Sequence, residues 1–366
     1  RRVARHEAHW ILSDQLISRI TVQTSLQSGL SVVYSELLDF AGSEIYFTHD
    51  PSLIGRTFHD AQFAFADSIA IGLARDGAIH LNPPPHTVMS DADELIVIAD
   101  DDDAIHLGQP GAPDLGALSS PTEVTRRPEA TLILGANSGL PTLLAELDQY
   151  AVPGSRVTVV ADSAPKLESL PRLNVDVVAA DPASRSVLDR LNVRDYDHII
   201  VLAAKERLSA ERADAKTLIV LLHLRDIAER TGVSLNIVSE MIVDRNRELA
   251  EITQADDFIV SDHLTSRVMS QVSEDARLAD VLDELFSPRG AEIYLRPVEL
   301  YVTTEHDVDF YTVIEAASRR GETAIGYRLY ADVRNSRRGY GIVINPTKTE
   351  RRRFLPGDRI IVLAEG

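Results

Sequence analysis

A chain of 366 residues that is 44% hydrophobic and has no cysteine can bury more than one core, but offers no disulfide framework, thiolate metal site or cysteine nucleophile. A formal net charge of −19 excludes a nonspecific nucleic-acid or anionic-membrane binder, which needs an excess of Lys and Arg, and makes cations the charged ligands to expect. No run of 18 apolar residues occurs; the densest, TLIVLLHL from Thr217, has the length of a buried helix, so a spanning part of any intact membrane protein lies elsewhere.

The chain opens on a segment that returns later. Ser13 to Phe47 lies over Ser261 to Leu295 at a constant offset of 248 residues, with identities at Ser13/Ser261, Asp14/Asp262, Leu16/Leu264, Arg19/Arg267, Gln23/Gln271, Leu30/Leu278, Leu37/Leu285, Gly42/Gly290 and Tyr46/Tyr294. The match resumes at Ile71-Gly72 with Ile325-Gly326, at Asn82-Pro83 with Asn345-Pro346, and at DELIVIA (from Asp93) with DRIIVLA (from Asp358). Two copies of one domain type are expected. The second is preceded by about 130 residues of alternating strand and helix signals and the first by almost nothing. The expectation is a fragment that starts inside its first domain.

In chain order, a long helical pattern from Asp14 to Phe40 leads into short strands and turns up to Asp100. Gly108 to Ala130 is rich in Gly, Pro and Ser without a hydrophobic period and reads as a linker. From Thr131 come strand TLILG, a helix striped by Leu140, Leu143, Leu144, Leu147 and Tyr150, strand RVTVVA, a short helix near Pro165 to Leu170, and strand VDVVAA. Helix SRSVLDRL, strand HIIVLAA, helix ADAKTLIVLLHLRDIAER, strand LNIVSE, helix RNRELAEI and strand DFIVSD follow. Six strands with helical crossovers specify a Rossmann-like, doubly wound parallel sheet. A second long helix from Asp262 to Phe286 and a second small α+β lobe complete the chain. The fold class is α/β, with one nucleotide-fold lobe and two small lobes joined by crossover helices.

Several residues are candidates for binding chemistry. Gly135, Asn137 and Gly139 lie where a dinucleotide fold places its phosphate loop, but Asn137 and Leu140 occupy the second and third glycine positions of GxGxxG, and the simpler reading is a helix-capping loop. Asp162 ends the second strand of this lobe, where a carboxylate accepts from a ribose hydroxyl, and Asp181 ends the third. Oxygen ligands suit calcium, and the carboxylates available are Glu240, Asp256, Asp257 and the run Asp100, Asp101, Asp102 and Asp103. The run also reads as a solvated strand exit, and Asp14 and Asp262 as helix N-caps. No HExxH, GxSxG, Walker or EF-hand pattern occurs. Arg337 with Arg338, and Arg351 to Arg353, read as a solvated basic face.

QTSLQSGLSVVYSELLDFAGSEIYF, Phe65 to Ile69, the Leu81-Asn82-Pro83 turn, DELIVIADDDD, LILGANSGLPTLLAELDQYAVPGSRVTVV and GDRIIVLAE resemble the tandem RCK (regulator of potassium conductance) domains of gating rings, and most closely the CASTOR/POLLUX family and its bacterial relatives. The resemblance covers nearly the whole chain and implies a pore and a first nucleotide-fold lobe ahead of Arg1. It divides the chain into a truncated first RCK domain (1–107), a linker (108–129), the second nucleotide-fold lobe (130–262) and the second crossover helix and small lobe (263–366).

The function implied is a non-enzymatic gating-ring region of a ligand-gated cation channel, at the cytoplasmic side of the membrane, coupling a ligand to pore opening. The ligand expected is Ca2+, with NAD or another nucleotide as the rival. The partners expected are the pore of the same polypeptide and other copies, four chains giving a ring of eight units, and no nucleic acid. In calcium-sensing RCK domains a ligand comes from the position of Glu240, but the acidic partner expected after the preceding strand is replaced by Ala203-Ala204-Lys205. Two alternatives are a peripheral nucleotide-binding subunit of a potassium transporter, against which the truncated start argues, and a nicotinamide-dependent oxidoreductase, which lacks an intact phosphate loop.

Overall fold

The computed structural model describes residues 13–40, 42–120, 127–165, 167–246, 257–288, 290–304 and 306–365. The first copy runs α1 (Ser13–Leu26), α2 (Leu30–Leu37), β1 (Glu44–Thr48), α3 (Phe58–Ala64), β2 (Ile69–Arg75), β3 (Ala78–Leu81) and β4 (Glu94–Ala99). The middle runs β5 (Ala130–Leu134), α4 (Leu140–Tyr150), β6 (Arg156–Ala161), β7 (Asn174–Ala179), α5 (Arg185–Leu191), β8 (His198–Val201), α6 (Ala210–Thr231), β9 (Ile237–Met241) and β10 (Asp257–Val260). The second copy runs α7 (Ser261–Glu274), α8 (Leu278–Leu285), β11 (Ala291–Pro297), β12 (Asp307–Val308), α9 (Phe310–Ser318), β13 (Thr323–Arg328), β14 (Ile342–Ile344), β15 (Arg352–Arg353) and β16 (Arg359–Glu365).

These elements form two compact units, Arg1–Ser31 with Thr125–Ser270, and Val32–Val124 with Gln271–Gly366. The first holds the parallel sheet, ordered β10-β9-β8-β5-β6-β7. Alternation along each strand divides its apolar residues between two faces. Leu132, Leu134, Ile199 and Val201 pack with Leu188 of α5 and Val220, Leu221 and Leu224 of α6. Ile133, Val157, Val159 and Ile200 face the other way, onto Leu140, Leu143 and Leu144 of α4 and Val22 of α1. Helix α1, from the first copy, is therefore part of this lobe's core, and burying its Val22 is worth roughly 1.5–3 kcal/mol.

The second unit pairs the two small lobes, whose sheets have one topology, β1-β4-β2-β3 and β11-β16-β13-β14. The bulge falls at the same place in each, between Ala70 and Gly72 and between Ala324 and Gly326. Glycine is required there: an added Cβ would lie 2.6 Å from the His80 carbonyl oxygen at Gly72 and 2.2 Å from that of Val343 at Gly326. Contacts between the lobes are reciprocal. Asn82 Nδ2 donates to the Gly321 carbonyl (2.9 Å) and Asn345 Nδ2 to the Asp67 carbonyl (2.8 Å), each from a left-handed residue with φ of 46° and 49°. Tyr34 of α2 meets Phe286 edge-on at 5.0 Å.

Four local expectations are revised. Each long crossover helix is broken in two, α1/α2 and α7/α8, at positions related by the same 248-residue offset. The short helix near Pro165 to Leu170 is absent among the described residues; two prolines bracket the segment, while Leu167 and Leu170 pack on the core without helical backbone. The segment read as a linker lies partly on the second lobe: Leu118 bridges Val302, Ser119 N–H donates to the Tyr301 carbonyl (3.0 Å), and Ala117 is buried. Helix α6 buries one face only, leaving Ile219 47% and Leu222 52% exposed. The helix expected over RNRELAEI lies mostly outside the described residues.

Candidate ligand cleft of the nucleotide-fold lobe

With β5 and β8 adjacent at the centre of the sheet and crossovers leaving to opposite faces, a crevice opens at their carboxyl ends. It is a cleft of about 470 Å³ counting its open mouth, lined by Gly135, Ala136, Asp162, Leu202, Arg207 and Lys216 among others. Gly135 turns the chain out of β5 with φ of 105°, and an added Cβ would sit 2.5 Å from the Leu202 carbonyl oxygen, so this glycine lets the loop lie against the end of β8. The loop then enters α4 at Leu140, with Pro141 in the first turn where its missing N–H costs nothing.

The residues at the substituted glycine positions have structural roles. Asn137 Nδ2 donates to Glu240 Oε2 (2.7 Å) and to the Ala203 carbonyl (3.1 Å), and its Oδ1 accepts from Gly139 N–H (3.0 Å). Glu240 is buried and also accepts from Ala203 N–H (3.2 Å), with Lys205 Nζ 3.5 Å away. Lys205, which stands where an acidic partner was expected, supplies the positive charge that a buried carboxylate needs.

At the mouth, Ser138 N–H and Ser138 Oγ both donate to Glu206 Oε1, at 2.9 and 2.6 Å. Burial pushes the Glu206 carboxyl up, but the bonds from Ser138 outweigh it and hold the group below the usual carboxylate range. Loops that lead into a helix bind anions, and here a carboxylate of the same chain takes the donors of Ser138, just ahead of the Gly139 N-cap. At the other end, Lys216 of α6 bridges Asp162 (3.0 Å) and Asp181 (3.1 Å). Burial lowers the Lys216 ammonium, yet the bonds to Asp162 and Asp181 prevail and its affinity for a proton is raised. Asp181 is pushed up by burial but held low by Ala183 N–H and by Lys216. Arg207 adds a second cation, donating to Ser163 Oγ (2.9 Å).

Of the residues singled out in the sequence, Gly135 and Asp162 line the cleft, Asn137 and Gly139 stand on the loop that leaves it, Asp181 pairs with Lys216 of its lining, and Glu240 bonds that loop through Asn137. Asp257 is occupied elsewhere. Buried at the start of β10, it accepts from Gly29 N–H (2.6 Å), Ser31 N–H (3.1 Å) and the Ser31 hydroxyl, fixing the α1–α2 turn. Asp256 lies outside the described residues, as do the side chains of Asp14 and Asp262. Asp100 accepts from Ser43 Oγ (2.6 Å), and Asp101, Asp102 and Asp103 are exposed after β4. The Asp102 carboxyl is raised by its hydrogen bond with Asp101 and by the charge of Asp103. Among the described residues no group of three or more His, Asp or Glu is placed to hold a metal ion. Sequence reasoning missed Glu206, Arg207 and Lys216, which lie in a charged stretch without motif spacing.

Helix α1 adjoins the same loop. Ser18 Oγ donates to the Gly139 carbonyl (3.4 Å), and Arg19 pairs with Glu146 of α4 (3.3 Å).

Residues 14–112 match the family described as Castor and Pollux, part of voltage-gated ion channel, and residues 131–261 match the TrkA-N domain. The chain is 28% identical to "Probable ion channel CASTOR" of Oryza sativa subsp. japonica, over 97% of its own length and 44% of that protein's, and 28% identical to "Ion channel POLLUX" of Lotus japonicus, over 97% and 43%. It therefore spans less than half the length of these relatives. Its fold is that of the human SLO3 gating ring, with a TM-score of 0.67 at 13% identity over 96% of this chain and 75% of that one. Both family matches, and a likeness that takes in 97% of the chain, relate it to the CASTOR/POLLUX-type ion channels, and its fold is that of a tandem RCK region.

Proposed function

We propose that this region is the ligand-sensing part of a cation channel, converting occupancy of the cleft beside Gly135 into movement of α1 and so into force on a pore carried elsewhere in the polypeptide. The observation that carries this reading is the packing of α1 on the loop that edges the cleft: Ser18 bonds Gly139, and Val22 shares a core with Leu140 and Leu143. A ligand that prefers one position of the loop shifts α1 by as much as its affinities for the two positions differ.

Chemistry at the cleft favours an anionic, nucleotide-type ligand. Lys216 and Arg207 line it, the Ser138 amide and hydroxyl just ahead of α4 already hold an anion, and Asp162 stands at the strand end that meets a ribose. NAD fits in part. Asn137 and Leu140 deny a pyrophosphate the close backbone approach that glycines give, while Ser138, Lys216 and Asp162 would hold phosphate and ribose once released from Glu206 and from one another. Calcium is the second reading: Asp101 and Asp103 crowd Asp102, and a divalent cation would have to draw them together, since as they stand they are not placed as a ligand set. The exposed Ile219 and Leu222 of α6 offer an apolar surface for assembly with other copies, four chains giving an eight-unit ring. Calorimetry with NAD, ATP and calcium in turn tests the ligand: saturable nucleotide heat that Lys216→Met weakens tenfold or more supports the cleft, whereas saturable heat from calcium alone transfers the role to the Asp100 run.

A further inference from the structure

Lys348 follows β14 in the second small lobe and is 1% exposed. Its Nζ donates to the carbonyls of Gln62 (3.0 Å) and Phe65 (2.8 Å), at the C-terminal end of α3 in the first small lobe. Tyr311 of α9 presents its ring 5.7 Å away. Both bonds go to carbonyls, and among the described residues the group makes no ion pair. Buried lysines are rare unless paired, because an ammonium taken from water without a counter-charge is costly, whereas a neutral amine has two N–H groups for two carbonyls.

The ionisable groups around it do not supply the missing charge. Asp67, just beyond α3, favours the ammonium from a distance, and burial overrides it, bringing Lys348 down to about 7. Tyr311 is itself raised by burial. His59 of α3 and Glu315 of α9 are engaged with each other at 2.9 Å, and on the lysine's own segment Glu350 pairs with Arg352 at 3.4 Å. Gln62, whose carbonyl accepts from Lys348, also has a buried Oε1 with no partner, so this part of the lobe contact is incompletely satisfied. No lysine stands in the corresponding turn of the first lobe, Pro83-Pro84-Pro85-His86-Thr87.

We propose that Lys348 is a proton-operated tie between the two small lobes: as a neutral amine it docks the second lobe on the end of α3, and taking up a proton loosens that contact. The atoms balance simply, one proton passing from solvent to Nζ as the lobe contact opens and returning as it closes. The sign follows from linkage. A lysine held below its solvated value of 10.5 in the closed pair binds its proton more readily when open, so opening is favoured as pH falls from about 10.5 to about 7 and levels off below. Between pH 9 and pH 7 the open fraction rises about 50-fold.

The chain has only four lysines, Lys166, Lys205, Lys216 and Lys348, so a pH titration of 15N-lysine resonances resolves them, with Lys→Arg at the other three assigning Lys348 by elimination. One resonance titrating about three units below the rest is expected; four titrating together near 10 overturns the proposal. Hydrogen exchange over Phe58–Ala64 and Phe310–Ser318, corrected for intrinsic rate, reads the opening. The wild-type chain should lose protection by about 50-fold from pH 9 to pH 7, and Lys348→Met should lose the pH dependence; equal pH dependence in both chains also overturns it.

Discussion

The two small lobes repeat each other where the backbone is constrained and differ where side chains carry charge. Break points of the crossover helices, sheet order, the bulge at Gly72 and Gly326 and the left-handed asparagines recur. The carboxylates that open β4 and the run into β16 show the divergence. Asp93 accepts from Arg75 (2.6 and 2.7 Å) and Ser90 N–H (2.7 Å), whereas Asp358 accepts from two amides, those of Leu355 and Tyr330 (both 2.8 Å). Duplication preserved the positions that shape the lobe and left its electrostatics free, which is how one lobe acquired Lys348 and the other a proline-rich turn.

The sharpest way to break that equivalence is at the bulge. Gly326→Ala should cost about 3 kcal/mol or more and Gly72→Ala somewhat less, because the Val343 carbonyl lies closer to the new Cβ than that of His80; denaturant melts of the two variants give the order. Next in size is the turn between the paired helices. Asp257→Asn removes the charged acceptor that serves Gly29 and Ser31 and should cost about 2 kcal/mol, while Asp275→Asn at the second turn, where the partner is the half-exposed Arg277, should cost less than about 1 kcal/mol.

Acid separates the lobes further. Bonds from Arg75 and Ser90 hold Asp93 down at about 2, so its contribution is complete above pH 4 and is lost as pH falls from about 4 to about 2. With Arg75 one-third exposed, that contribution is about 1–2 kcal/mol. Asp93→Asn should remove this acid sensitivity from the melting profile. The smallest effect expected is at the cleft, where Glu206→Gln removes the internal anion from Ser138 and should tighten nucleotide binding about three- to tenfold, read by calorimetry.

The parallel sheet and the duplication were legible in the sequence because both rest on periodic burial: alternate residues of β5 divide between two cores, and aligned apolar positions keep their spacing. Break points in the crossover helices were less visible. Gly29 marks the first, but the second falls in Asp275-Ala276-Arg277 with no glycine. Gly135 and Asp162, which line the cleft, were placed from strand ends, which a pattern reveals. Its cations were not, since Arg207 and Lys216 reach it from a loop and a helix whose orientation only the packed fold sets. Likewise Glu240 reads as a ligand from its place after a strand and Asp257 from residue type, and three dimensions give them internal partners.

If the cleft senses a ligand for the pore, its loop and crossover helix α1 must respond together. Hydrogen exchange along the chain, with and without saturating NAD or ATP, reads both at once. Added protection is expected over residues 135–141 and also along Ser13–Leu26; protection confined to the loop, with α1 unchanged at saturation, would contradict the coupling.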